Sequence, residues 1–187
     1  RIHAGIRRRD RQRRLTDALG DEDVAERRIA GQLELVDPAT RLGRPAAVAL
    51  IASNLGYAAS RAGDIPRALA EYTRAEAAFR ANGLQVSGLL MDRAELLHAI
   101  GLDDEARDDA EAAVAAARAE RRTLRVPETR LLLARVAATA GDHGLALEQA
   151  RLARGGFRRQ GRATWAAAAG VQLALIAREM GVRPRHR

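Results

Sequence analysis

The chain has 187 residues, 47% apolar and 30% charged, with a formal net charge of +8 and only two Phe, two Tyr and one Trp. That is enough apolar material for a soluble, folded core, and the scarcity of aromatics leaves Ala, Leu, Val and Ile to build it, with small residues drawing helices close together. Zero cysteines exclude a disulfide frame, a thiolate metal site and a cysteine nucleophile within these residues.

The chain starts with Arg and shows no apolar core of a signal peptide, so it reads as a fragment of a longer cytoplasmic protein. Helices are expected over 3–19 and 22–36, a divergent N-terminal hairpin whose first member carries "RRRDRQRR" from Arg7 to Arg14. The stretch "VDPATRLGRP" from Val36 to Pro45 is loop-like, which makes 1–44 a hairpin plus linker.

From there the pattern becomes regular. Gly20, Gly63, Gly101, Gly141 and Gly181 recur about every forty residues, each after an apolar-periodic stretch. A Gly can take the left-handed conformation that ends a helix, and Asp64, Asp103 and Asp142 just beyond can cap the next one. The expected helices are 45–62, 65–82, 87–100, 103–121, 127–140, 143–160 and 163–180, with Pro45, Pro66 and Pro127 in first turns where a missing N–H is tolerated. Ala68, Ala106 and Ala146, each five residues past a Gly, let a second helix press on a first. The repeats run 45–82, 87–121, 127–161 and a partial 163–181, followed by a tail at 182–187. The longest apolar stretch, Trp165 to Ala177, is too short to span a bilayer, so no membrane segment is expected.

In "NLGYAASRAGDIPRALAEYTRA" the pair Leu55 and Gly56, then Ala68 and Tyr72, match the L-G and A-x3-F elements of the tetratricopeptide pattern. Ala52, Ala59 and Arg80 stand where that pattern has Trp, Tyr and Pro. Ala94 and Ala134 replace the Gly in later copies, and Ala110 and Ala150 the aromatic. The fold class predicted is all-α: antiparallel helical hairpins stacked as a tetratricopeptide-like superhelix, an α-solenoid. The segments "AGDIPRALAEYTRAEAAF", "LLMDRAELLHAIGLDDEARDDAEAAV" and "GGFRRQGRATWAAAA" resemble the tetratricopeptide region of actinobacterial CHAT-domain proteins, best over 49–180. The resemblance implies a helical array preceding a caspase-like peptidase domain. That peptidase uses a His and a Cys, so no catalytic residue carries over to a chain without Cys. Related repeats also occur in bacterial transcriptional activators and signalling ATPases.

No chemistry-bearing motif competes with this architecture. His3, His98, His143 and His186 lie on separate elements without metal-ligand spacing, and the acidic groups at 21–23 and 103–111 open helices, where carboxylates complement the dipole. No phosphate loop or nucleophile elbow is present. Catalytic residues, cofactors and metals are therefore all expected to be none. The basic runs at Arg118–Arg125 and at Arg151, Arg154, Arg158, Arg159 and Arg162 are read as solvated helix faces. All 32 basic residues are Arg, which points to coding bias, and stacking aromatics are nearly absent, so nucleic acid is the lesser partner.

What remains is a partner-binding groove along the first helices. The register from Leu55-Gly56 exposes Ser53, Asn54, Tyr57, Ser60 and Arg61, then Met91, Asp92, Glu95 and His98, then Glu128, Leu131, Leu132, Arg135 and Thr139. That mixture suits a protein or peptide partner, or a domain of the same polypeptide.

Overall fold

The computed structural model describes residues 45–181; the expected helices over 3–19 and 22–36, Gly20, the run Arg7–Arg14, His3, His186 and the tail lie outside them. Seven helices follow in order: α1 (Pro45–Arg61), α2 (Ile65–Ala81), α3 (Ser87–Ile100), α4 (Asp103–Ala119), α5 (Val126–Thr139), α6 (His143–Arg159) and α7 (Ala163–Glu179). None of the described residues forms a strand, and no helix among them is long and apolar enough to cross a membrane. The helices form two compact units, one ending at Ile100 and holding α1–α3, the other beginning at Gly101 and holding α4–α7.

In the first unit α1 and α2 pair across a tight turn. Gly63 sits at φ +79°, its N–H donating to the Ser60 carbonyl oxygen at 3.2 Å while the Asp64 N–H reaches the Ala59 carbonyl oxygen at 3.0 Å. These bonds satisfy carbonyls that the end of α1 leaves open. Asp64 then caps α2, its Oδ1 accepting from the Arg67 N–H at 3.2 Å. A Cβ at Gly63 would meet nothing within 4 Å. Its conformation alone therefore sets the cost of substitution, and Gly63→Val is expected to lose about 1–2 kcal/mol in urea unfolding. An unchanged midpoint would show that the turn tolerates a β-branched residue there.

The second unit repeats the device at Gly141 (φ +83°) and Asp142, whose Oδ1 accepts from the Leu145 N–H at 3.0 Å. Asp103 departs from the expectation. Gly101 is separated from it by Leu102, so the cap falls on Leu102, which makes no side-chain cap bond, and Asp103 becomes the first residue of α4. Asp142 is also held by Arg107 of α4 at 3.2 Å.

The helices α2, α4 and α6 each bury one stripe at intervals of four, three and four residues, the spacing of a single helix face. It reads Ala68, Tyr72, Ala75 and Phe79 in α2, Ala106, Ala110, Ala113 and Ala117 in α4, and Ala146, Ala150, Ala153 and Phe157 in α6. Where large residues occur, the opposite helix recedes. A Cβ on Gly56 of α1 would lie 2.8 Å from Cδ1 of Tyr72, and one on Gly156 of α6 only 2.6 Å from Cγ of Pro127.

Polar ties complete each unit. Glu76 of α2 accepts from Arg93 of α3 at 2.7 Å on one oxygen and from Arg80 at 2.7 and 2.9 Å on the other. Burial pushes that carboxyl up, but the two guanidinium groups outweigh it and hold the group below the ordinary glutamate value. In the second unit, Arg162 precedes α7 with its guanidinium 5.0 Å from the centroids of both Phe157 and Trp165, whose rings are 5.5 Å apart. It pairs with Glu128 of α5 at 2.7 Å. The reading of the last basic run as a purely solvated face therefore fails at Arg162.

Candidate functional site

Within the first unit, four of the expected residues, Tyr57 and Ser60 of α1 with Asp92 and Glu95 of α3, act on one buried group. The Tyr72 hydroxyl, fully buried beneath them, lies in the field of Asp92, Tyr57 and Glu95 and close to Ser60. It completes no hydrogen bond, and the Ser60 hydroxyl beside it donates to the Tyr57 carbonyl oxygen at 2.8 Å. Above this floor Tyr57 is 43% exposed, Asn54 and Glu95 are exposed, and Ser53, Arg61, Met91, Asp92 and His98 are half-buried. The surface above Tyr72 thus carries an aromatic ring from α1 and two carboxylates from α3.

Burial, and after it Asp92, raises the Tyr72 phenol well above the ordinary tyrosine value, because both oppose the phenolate. An unfolded chain ionises this group near pH 10, whereas the folded one keeps its proton. The folded state thus binds more protons above that pH, and stability falls as pH rises. Wild type is expected to lose urea resistance more steeply above pH 10 than Tyr72→Phe. Equal declines would remove Tyr72 as the source.

The second unit divides the remaining expected residues differently. Arg135 and Thr139 are exposed and Glu128 is half-buried against Arg162, but Leu131 and Leu132 are buried. Leu131 packs with Ala153, Phe157, Ala166 and Ala169, facing α6 and α7 rather than a groove. Three consecutive leucines, Leu131 to Leu133, are all buried, so α5 is covered on more than one side and its solvent phase is narrower than the register implied.

A cavity of about 370 Å³ opens between the loop after α4, the start of α5 and the end of α6. Val126, Pro127 and Leu152 supply its apolar wall, and Gly156 brings α6 close beside Pro127. Arg130 and Arg159 enter it from facing helices. The Nε of Arg130 is buried without a hydrogen-bond partner. Burial lowers the pKa of Arg130, and Arg118 and Arg159 lower it further, with Glu148 acting the other way. Gln160 lines the cavity too, its amide N–H donating to the Thr123 carbonyl oxygen at 2.7 Å while its own oxygen is buried and unpaired. Sequence reasoning missed this site. Arg130 occupies the register position held by Ala52 in α1 and Leu90 in α3, and that exchange of an apolar residue for a cation was the available signal.

No family model matches the chain, and no curated protein does. Among solved structures it is similar to BtubC (BKLC) from P. vanneervenii, with a TM-score of 0.68 and 22% identity over 83% of this chain. The likeness is one of fold. This chain spans 66% of the length of that protein. Among the described residues no cluster of three or more His, Asp or Glu is placed to hold a metal ion.

Proposed function

We propose that the chain is a non-catalytic interaction module: tetratricopeptide-like hairpins stacked as an α-solenoid, binding a protein or peptide segment along its first helices. The observation that carries this reading is the convergence of exposed Tyr57 with Asp92 and Glu95 from a second helix, over the buried Tyr72. An aromatic near carboxylates, carried on helices rather than loops, is a surface that discriminates among peptide side chains at little backbone entropic cost. The repeated left-handed Gly turns and the recurring buried stripe support the tetratricopeptide-like assignment. In this reading the module serves an effector domain of a longer polypeptide, as the resemblance to CHAT-domain proteins implies.

The test is selection from a random peptide library, followed by titration of the selected peptide against variants. Tyr57→Ala and Glu95→Ala are each expected to weaken binding tenfold or more while leaving helicity and melting unchanged, and Arg151→Gln with Arg158→Gln, exposed residues away from either surface, should leave it intact. A selected peptide indifferent to both groove changes would overturn the reading. So would a chain that selects no peptide yet binds oligonucleotide with steep salt dependence.

A further inference from the structure

The cavity of the second unit gathers like charge around a half-buried arginine. Arg130 comes from α5, Arg159 from α6 and Arg118 from α4, and Glu148 is the carboxylate that opposes them. Arg118 and Arg159 are one repeat apart in sequence, so the repetition itself brings them to one place. A guanidinium whose Nε is buried and unpaired carries a desolvation cost that a well-packed structure avoids. A leucine at this position, as in α3, removes that cost. Retaining an arginine there, with a second one lining the same space, leaves the Arg130 Nε without an acceptor.

The shape of the space narrows what completes it. At about 370 Å³ it holds one side chain and its neighbour rather than a nucleotide strand. Its wall of Val126, Pro127 and Leu152 offers apolar contact, and no aromatic ring lines it for base stacking. Two guanidinium groups offer forked N–H donors to the two oxygens of a carboxylate. We infer that this cavity is a second recognition pocket, taking the carboxylate of a Glu or Asp side chain in a partner peptide, with Arg130 and Arg159 on its oxygens and an adjacent apolar residue against Leu152 and Pro127. The pocket rests on the reading of the chain as a peptide-binding module and names one class of peptide for it: acidic, with apolar residues interleaved.

The experiment titrates the whole chain with a fluorescein-labelled peptide of alternating Glu and Leu, with inorganic phosphate and with a single-stranded oligonucleotide, reading anisotropy or heat. The Glu-Leu peptide is expected to bind, and Arg130→Gln to weaken it at least tenfold while the melting temperature holds or rises, since a buried repelled cation is removed. Arg159→Gln, at an exposed residue, is expected to weaken binding similarly and serves if Arg130→Gln misfolds. Arg130→Lys, which keeps charge but loses the fork, is expected to restore only part of the affinity. Peptide binding unchanged by both Gln variants would overturn the pocket, as would absence of binding. Tighter Arg130-dependent binding of phosphate or oligonucleotide than of peptide would also overturn it, assigning the site to another anion. Failure here is distinct from failure of the parent reading, which is decided by Tyr57→Ala and Glu95→Ala in the first unit.

Discussion

Phe157→Ala is expected to destabilise the second unit by about 3–5 kcal/mol, a large part of the stability of a small domain. The ring is fully buried among Leu131, Ala153, Ala166 and Ala169, joining α5, α6 and α7. Three of those four neighbours are alanines, too short to close over the space that the ring leaves. The change also removes the surface against which Arg162 and Trp165 stack. Trp165 is the chain's sole tryptophan, so its emission reports this region directly. The measurement is urea unfolding followed at that emission, and a loss under 1 kcal/mol would mean that the ring is not the keystone its burial indicates.

The second large effect is a coupling in the first unit. Tyr72→Ala is expected to cost about 3–5 kcal/mol, as loss of a buried aromatic does. Gly56→Ala in the wild-type background is expected to cost about 1–3 kcal/mol, because its new methyl lies 2.8 Å from the Tyr72 ring and the ring has no room to retreat. With the ring gone the methyl meets only the space left behind. The double variant should therefore be more stable than the sum of single losses indicates, by 1 kcal/mol or more, about the size found for residues in contact. Additive losses would show that the close approach relaxes without cost.

The helices were almost fully legible because their punctuation is local. Gly63 and Gly141 with the following Asp specify a left-handed stop and a cap within two residues, and both turns form as the residues dictate. At the remaining turn Leu102 stands where Asp64 and Asp142 follow their Gly, and that one residue was enough to leave α4 without a side-chain cap. In the first unit the register from Leu55-Gly56 led to Tyr57, Asp92 and Glu95, whose charges or dipoles all act on the buried Tyr72 hydroxyl. What could not be read is what depends on separation. Arg159 looks like a solvent-facing cation in its own helix, and only packing sets it in one cavity with Arg130. Leu131 failed for a related reason. In a run of three leucines the periodicity that distinguishes a buried face from an open one vanishes.

The alanine stripe of α4 has a consequence for motion. Ala106, Ala110, Ala113 and Ala117 give that helix a seam made of single methyl groups, whereas α2 anchors itself with Tyr72 and Phe79 and α6 with Phe157. Burial energy scales with apolar area, so the same number of seam positions holds α4 with much less. Helix propensity keeps α4 wound, but little resists its lifting away as a rod. Amide hydrogens at its ends should exchange with deuterium before those of α6, making α4 the hinge-side of any breathing in the second unit and the element whose opening exposes the inner face of α5.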